Sequence, residues 1–269
     1  MKKSFLIYAI FISGLINSEF AFARVLPPGE FGSLGSSQEN FDYPDYYQIK
    51  EDPRVAIVDL MNFDHVQAKL PLPTTPYNRA AQFGTWINYP GDQACLNTRA
   101  KVLVRESKTA VTYTPDGCAV QTGSWDEPYA GLKLSAPKDV QIDHFVPLKN
   151  AYMTGAFEWD QNKRCLYANY LGNAFHLLAV SGTQNLRKGD NSPAGYMPPN
   201  KNYSCQYLKQ WLEVKVIWAL RLTPKEIEGL QSEFSADGCD RANFKVTAAD
   251  LAVQRRFMED NKELCSQSQ

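Results

Sequence analysis

Two short apolar runs stand out from the pattern of hydrophobic and polar positions in the middle of the chain. Residues 142–148 read IDHFVPL and residues 176–180 read HLLAV, and short runs that are mostly apolar are typical of strands. Pro147 cannot donate a hydrogen bond to a sheet, so the first strand should stop there. The pattern therefore places Asp143 and His144 at a strand end.

A helix is predicted directly after the second run. Ser181-Gly182-Thr183 ends that run, and serine and threonine are favoured at the start of a helix. The helix would carry Asn185 and Lys188, which are three residues apart and so share one face. At a strand end, twist or a bulge can turn both Asp143 and His144 towards that helix. A carboxylate, two imidazoles, a carboxamide and an ammonium would then share one small space.

Apolar residues recur every three to four positions in several further stretches, which predicts helices. These stretches are 99–106, 148–154, 159–170, 207–220 and 247–264. Thr223-Pro224-Lys225-Glu226 resembles a capping box with proline at the first helical position. Two short strands, 110–113 and 118–122, are predicted on either side of the turn residues Pro115-Asp116-Gly117. The predicted fold class is α+β, with a small sheet inside a mostly helical chain.

Three large residues, Trp125, Tyr129 and Leu132, follow the two short strands. Large apolar side chains pack in the core more often than they serve a surface role, so we expect these three to lie beneath the polar residues. Stacking of the aromatic rings on nucleic-acid bases is the alternative.

The N-terminus has the three parts of a secretory signal peptide. Lys2 and Lys3 precede an apolar run over residues 5–16, and Ala21-Phe22-Ala23 provides a small-residue cleavage site. We therefore predict a signal peptide over residues 1–23, with an uncleaved anchor as the alternative. No other stretch is apolar enough to span a bilayer, so no membrane contact is expected after cleavage.

Three segments follow the predicted signal peptide. Residues 24–76 have loop composition and end in a proline-rich stretch, so we predict an arm and linker without activity, in which His65 is structural or at the surface. Residues 77–226 contain the polar cluster and form the predicted main domain. Residues 227–269 are predicted to form a helical, disulfide-linked extension.

All six cysteines fall in the mature part of the chain. An even number of cysteines in an exported protein indicates a disulfide framework, whose pairing the sequence leaves open. Pairing of nearest neighbours gives Cys95–Cys118, Cys165–Cys205 and Cys239–Cys265. Cysteine ligation of zinc is the weaker alternative, because no pair has the C-x-x-C spacing.

The charge is nearly balanced overall but is unevenly distributed. The whole chain has a net charge of −1, and removing Lys2, Lys3 and Glu19, which sum to +1, leaves −2 for the mature chain. Residues 141–226 nevertheless contain 10 Lys and Arg against 6 Asp and Glu. This local basic excess coincides with the polar cluster and favours attraction of phosphate, although a solvated face explains it equally well.

The order of polar residues resembles that of the ββα-metal nucleases, also called HNH or His-Me finger nucleases. The resemblance rests on an Asp-His pair, then a His or Asn at the head of a short strand, then Asn185 nine residues after His176. The wider sequence, from Tyr77-Asn78-Arg79 and Phe83-Gly84-Thr85-Trp86 to Leu222, resembles a bacterial group of secreted HNH endonucleases related to the DUF1524 and GmrSD-type domains. That family usually has Asn where this chain has His176. The resemblance implies a ββα-metal core inside the disulfide-braced domain.

The resemblance also implies the roles of the central residues in phosphodiester hydrolysis. His144 would act as the general base that takes a proton from water, because imidazole has a suitable pKa. Asp143 and Asn185 would bind one divalent metal through oxygen atoms, which favours Mg²⁺ and leaves Mn²⁺, Ca²⁺, Zn²⁺ and Ni²⁺ open. A structural hydrogen bond between Asp143 and His144, with Asn185 as a helix cap, is the alternative without chemistry.

The remaining residues of the cluster have supporting roles in this scheme. His176 would orient the strand that carries His144, or would ligate a softer metal ion. Lys188 is expected to contact a phosphate oxygen, with Arg187 as a second candidate for substrate binding. Asp190 would brace the end of the helix or the next loop.

The sequence thus predicts a secreted, metal-dependent endonuclease with nucleic acid as its partner. DNA is favoured over RNA, and little sequence preference is expected because no helix-turn-helix or zinc finger is visible. An inhibitor protein, periplasmic or extracellular location and oligomeric state are left open. Two alternatives are a catalytically silent binding protein on the same scaffold and a hydrolase of another phosphodiester.

Overall fold

The computed structural model describes residues 54–56, 73–89 and 95–266. The predicted signal peptide, His65 and most of the predicted arm lie outside these described residues. The described residues belong to one unit that spans Tyr43–Gln269. None of the described helices is both long and apolar enough to cross a membrane.

The described residues form an α+β fold, as predicted. The helices are Arg79–Phe83 (α1), Thr98–Glu106 (α2), Leu148–Met153 (α3), Gln161–Ala168 (α4), Gly182–Lys188 (α5), Ser204–Ile217 (α6), Pro224–Ala236 (α7) and Ala248–Asp260 (α8). The strands are Arg54–Ala56 (β1), Thr112–Tyr113 (β2), Val120–Thr122 (β3), Trp125–Glu127 (β4), Leu132–Leu134 (β5), Val140–His144 (β6), Leu177–Ser181 (β7) and Lys245–Thr247 (β8). These strands pair in antiparallel twos: β1 with β8, β2 with β3, β4 with β5, and β6 with β7.

The residues of the β6–β7 pair are almost all buried. Its register runs from Val140 opposite Ser181 to His144 opposite Leu177. Val140 and Ile142 belong to a buried apolar cluster whose other members are Val102, Leu103, Val120, Trp125, Leu177 and Ala179. Because neighbouring side chains in a strand point to opposite faces, Gln141 and Asp143 point away from this cluster. One face of β6 therefore carries the polar residues Gln141 and Asp143, and the other carries Val140, Ile142 and, at the end of the strand, His144.

Helix α5 begins at the residues that the sequence indicated and carries Asn185 and Lys188 as predicted. The Ser181 side chain accepts a hydrogen bond from the backbone N–H of Gln184 and caps the helix, and Gly189 ends it with a positive φ of 49°. Glycine adopts this left-handed conformation without the steric penalty that a Cβ would impose. The helix packs against both β6 and β7. Strand β6 ends at His144, before Pro147, so the predicted order of two strands followed by a helix is confirmed.

The prediction for the residues beneath the site is confirmed in two of three cases. Trp125 and Tyr129 are fully buried, whereas Leu132 is 49% exposed. Leu132 begins β5, which pairs only with β4 among the described strands. Leu132 and Lys133 are both exposed and Leu134 is half-buried, so this strand lies at the surface.

Three disulfides brace the fold, and two of the three predicted pairs are wrong. Cys95–Cys118 is confirmed, whereas Cys165 pairs with Cys265 and Cys205 pairs with Cys239. The error comes from assuming that neighbours along the chain are neighbours in space. The C-terminal extension folds back onto the main domain, so that Cys265 meets Cys165 in α4 across 100 residues of sequence.

Loss of the Cys165–Cys265 disulfide is expected to destabilise the fold more than loss of Cys95–Cys118. A cross-link restricts the unfolded chain more strongly when it closes a longer loop, and the separations are 100 and 23 residues. We expect the double alanine variant of Cys165 and Cys265 to lose about 4–5 kcal/mol of unfolding free energy, against about 3 kcal/mol for that of Cys95 and Cys118. Urea unfolding of both variants measures the difference. An equal or smaller loss for the 100-residue loop contradicts the prediction.

Candidate active site

Helix α5 covers the polar face of β6, and two hydrogen bonds join side chains of the two elements. The Asn185 amide nitrogen donates to Oε1 of Gln141 at 2.7 Å, and the Lys188 ammonium donates to Oδ1 of Asp143 at 2.8 Å. Gln141 and Asp143 are two residues apart on the strand, while Asn185 and Lys188 are about one turn apart on the helix. The two hydrogen bonds therefore join one side of α5 to the side of β6 that carries Gln141 and Asp143.

Asp143 is part of a buried cluster that the sequence only partly revealed. Its Oδ2 accepts a hydrogen bond from the Tyr129 hydroxyl at 2.6 Å, and its Oδ1 accepts from Lys188, whose ammonium also donates to the backbone oxygen of His144 at 3.0 Å. The exposed fractions of the Lys188 and Asp143 side chains are 0% and 5%. Burial raises the pKa of the Asp143 carboxyl and lowers the pKa of Lys188, and the contact between the two opposes both shifts. The cluster is therefore held together by a pair of charges out of contact with water.

The surroundings of Lys188 do not favour the predicted contact with a phosphate oxygen. Its ammonium is enclosed and already donates to Asp143 and to the His144 backbone, so it has no route to a ligand in solvent. Arg187 and Asp190, by contrast, are exposed. Asp190 forms an ion pair with Lys149 at 2.9 Å, which agrees with its predicted role as a brace.

His144 lies at the end of β6 with its ring held at one edge. Its Nε2 is 2.9 Å from the backbone oxygen of Ala168, at the C-terminal end of α4. A carbonyl oxygen only accepts hydrogen bonds, so Nε2 must carry the proton and Nδ1 must carry the lone pair in the neutral ring. Burial lowers the pKa of His144 well below its ordinary value of 6.5, and the hydrogen bond to Ala168 opposes this shift. The ring is therefore neutral at physiological pH, with Nδ1 as the basic atom.

His176 has a different environment from His144. Its Nε2 lies 2.8 Å from the Tyr167 backbone oxygen, and its ring is surrounded by Tyr167, Tyr170 and Trp218. Its Nδ1 is buried and has no hydrogen-bond partner among the described residues. Nδ1 of His144 is not a buried atom of this unpaired kind. The His176 backbone oxygen accepts from the Phe145 N–H and extends the ladder beyond His144. This contact supports the expected role in orienting the His144 strand, and the enclosure argues against metal ligation.

The buried His176 is expected to make the fold sensitive to acid. Burial lowers its pKa to about 3, while the unfolded chain keeps a value near 6.5. Between these values the unfolded state binds the extra proton, so stability falls as the pH falls from about 6.5 to about 3. From about pH 7 to about pH 4.5 we expect His176 to account for a loss of about 2–3 kcal/mol.

Urea unfolding of wild type and His176→Asn at these two pH values measures this contribution. Asparagine can still donate a hydrogen bond to the Tyr167 carbonyl but has no proton to gain. The variant should therefore lose less stability on acidification than the wild type. An equal loss in both proteins contradicts the assignment.

Four residues of the site were not assigned to it by the sequence patterns. Tyr129 donates to Asp143, Gln141 holds Asn185, and the Trp86 ring stacks on the His144 ring. Arg79 is exposed, forms no ion pair with a described residue, and lies near enough for its charge to lower the pKa of His144. Gln141 could have been found from its position two residues before Asp143 on the same strand face. Trp86 and Arg79 are too distant in sequence for any local pattern to connect them with the site.

The described residues contain no group of three or more His, Cys, Asp or Glu side chains that could hold a metal ion. Between β6 and α5, only two side chains of the site offer oxygen atoms as metal ligands, Asp143 and Asn185. Oδ1 of Asn185 accepts no hydrogen bond from a described residue, and each Asp143 oxygen has one bonded partner and a second lone pair. Two such oxygen donors fit a hard cation such as Mg²⁺, which usually keeps several waters. The buried ammonium of Lys188 opposes a cation at Asp143, because like charges repel.

The fold and site define a disulfide-braced α+β protein with a two-histidine polar site at the end of a strand pair. Residues 97–230 match the family described as GmrSD restriction endonucleases, C-terminal domain. An uncharacterized secreted protein of Arthroderma benhamiae (strain ATCC MYA-4681 / CBS 112371) is 40% identical over 161 residues, which cover 60% of this chain and 75% of the relative. No solved structure gives a significant match. The chain belongs to the family of GmrSD restriction endonuclease C-terminal domains, in agreement with the resemblance found in the sequence.

Proposed function

We propose that this protein is a secreted, metal-dependent endonuclease that hydrolyses phosphodiester bonds in nucleic acid, with DNA favoured over RNA. The observation that carries the proposal is the hydrogen bond from Nε2 of His144 to the Ala168 carbonyl. It fixes the proton on Nε2 and leaves the lone pair of Nδ1 free to accept a proton from water. Membership of the GmrSD-type family supports the same reaction class.

His144 acts as the general base in this proposal. Water is a weak nucleophile at neutral pH, and removal of its proton in the transition state accelerates attack on phosphorus by about 10²–10⁴-fold. The lowered pKa of His144 keeps the ring unprotonated at neutral pH. Proton transfer to Nδ1 forms an imidazolium whose Nε2–H remains bonded to the carbonyl at the end of α4. The partial negative charge at a helix C-terminus stabilises this cation.

Exposed arginines bind the phosphate in place of Lys188. Arg187 lies on α5 beside Asn185, and Arg79 begins α1 near His144. Both are exposed, and neither forms an ion pair with a described residue. A guanidinium donates two parallel hydrogen bonds to phosphate oxygens, which suits this role.

Asp143 and Asn185 are the residues that would hold the divalent metal, most simply Mg²⁺. When bound, such an ion neutralises charge that develops on the phosphate oxygens. Gln141 orients Asn185 for this purpose by accepting a hydrogen bond from its amide nitrogen, which leaves Oδ1 of Asn185 available as a metal ligand. Tyr129 and Lys188 fix the orientation of Asp143, while the ammonium of Lys188 weakens the attraction of a cation to this carboxylate.

Export is supported by two observations. The described cysteines are all paired in three disulfides, and such bonds persist in oxidising compartments. The relative described above is named a secreted protein. A secreted nuclease meets its substrate outside the cell that makes it.

The test uses oxidised protein without residues 1–23, incubated with supercoiled plasmid or with RNA in the presence of Mg²⁺. We expect nicking of the plasmid that EDTA abolishes and that added Mg²⁺ restores. Mn²⁺, Ca²⁺, Zn²⁺ and Ni²⁺ are tested in parallel to identify the metal. A folded protein that cleaves neither DNA nor RNA with any of these ions contradicts the proposal. Binding of nucleic acid without cleavage would then favour the silent binding protein.

A further inference from the structure

The Trp86 ring lies flat against the ring of the proposed general base. The planes of the Trp86 indole and the His144 imidazole differ by only 1°, and their centroids are 5.1 Å apart, so the rings are stacked with an offset. Trp86 is half-buried and lies shortly after α1. It also lies before residues 97–230, which match the family.

The backbone on both sides of Trp86 is held by one buried side chain. The Asn169 amide nitrogen donates to the Thr85 carbonyl at 3.1 Å, and Asn169 Oδ1 accepts from the Ile87 N–H at 3.1 Å. Oδ1 also accepts from the Thr98 hydroxyl at 2.7 Å, so the carboxamide is fixed in turn. Asn169 is fully buried. These hydrogen bonds fix the backbone on both sides of Trp86 and thereby the position of its side chain.

The same turn of chain holds His144. Asn169 caps the C-terminus of α4, and the preceding residue, Ala168, supplies the carbonyl that accepts from Nε2 of His144. One end of α4 therefore fixes both the edge of the imidazole and the residue that covers its face. The last carbonyls of a helix have no partner within the helix, so they are available for these contacts.

We propose that Trp86 is a positioning residue that holds the His144 imidazole in the plane required for proton transfer. One hydrogen bond at Nε2 fixes one atom of the ring but leaves the ring free to tilt about that bond. The flat contact with the indole removes this freedom and thereby fixes the direction of Nδ1. The effect on catalysis rests on the proposed function, whereas the fixed orientation of the His144 ring does not.

The experiment compares Trp86→Leu with Trp86→Phe. Leucine fills part of the space without a ring to stack on, while phenylalanine keeps a flat aromatic face. We expect kcat for plasmid nicking to fall by about 10–100-fold in Trp86→Leu, because a misplaced reacting group costs about that much. KM should change by less than about threefold, and Trp86→Phe should recover most of kcat. Trp86→Met replaces Trp86→Leu if the latter does not fold.

NMR of the imidazole protons provides a readout that does not depend on activity. The chain has three histidines, so the His144 signals can be assigned by substitution of each in turn. Stacking on Trp86 should shift the His144 ring protons upfield in the wild type and in Trp86→Phe, and this shift should be lost in Trp86→Leu. Absence of the shift in the wild type overturns the inference, whether or not the protein cleaves nucleic acid. The inference is also overturned if Trp86→Leu loses the upfield shift but keeps the kcat of the wild type. If the wild type shows the shift but has no nuclease activity, only the proposed function is contradicted.

Discussion

Replacement of His144 by alanine is expected to abolish most nuclease activity while leaving the protein folded. General-base catalysis contributes about 10²–10⁴-fold, so kcat for plasmid nicking should fall by that factor. No other described histidine can replace it, because the His176 ring is enclosed by aromatic side chains and its Nδ1 is buried. Nucleic-acid binding depends on exposed cations and should persist.

The matched control for this variant is His65→Ala. The sequence pattern assigns His65 no part in the proposed reaction, so its replacement should leave kcat within about threefold of wild type. Binding of a labelled duplex and urea unfolding show whether His144→Ala still binds and folds. If His144→Ala cleaves DNA at the wild-type rate, His144 is not the base.

Replacement of Lys188 by methionine is expected to destabilise the protein by about 3–5 kcal/mol. Methionine fills a similar volume but leaves the Asp143 carboxylate buried without its countercharge. The carboxyl must then remain ionised at high cost or take up a proton, and either outcome weakens the native state. Because the Lys188 ammonium also donates to the His144 backbone, activity should fall with stability.

Two further variants distinguish the stability effect of the buried Lys188–Asp143 pair from that of an exposed ion pair. Lys149→Met removes an ion pair whose side chains are 49% and 58% exposed, and it should cost at most about 1 kcal/mol. Adding Asp143→Asn to Lys188→Met should recover part of the lost stability, because the unpaired charge is gone. Urea unfolding of the four proteins tests both statements. A loss below about 1 kcal/mol for Lys188→Met contradicts the buried-pair assignment.

The elements that position the site were predicted correctly because their signals are local. The apolar runs, Pro147 and Ser181 each act on their immediate neighbours, and together they gave β6, β7 and α5. The Thr223–Glu226 capping box is confirmed for the same reason. Such signals require only residues within one or two turns of each other.

The partners of these residues were harder to predict, because burial and pairing depend on the whole fold. Lysine is usually exposed, and nothing near Lys188 in sequence indicates that it is buried and paired with Asp143. The Cys165–Cys265 pair depends in the same way on the path of the C-terminal extension. Trp86 contacts His144 across almost sixty residues of chain, with no spacing that connects them.

The most direct test of the account is the pH dependence of kcat/KM for nucleic-acid cleavage by wild type and by His144→Ala. This quantity reports the ionisation of the free enzyme, in which the pKa of His144 is lowered well below 6.5. For the wild type we expect kcat/KM to rise with pH through a pKa below 6.5 and then to level off, because the base must be unprotonated. In His144→Ala this acidic limb should be absent from the residual activity. An acidic limb of the same midpoint in both proteins would contradict the assignment of His144 as the general base.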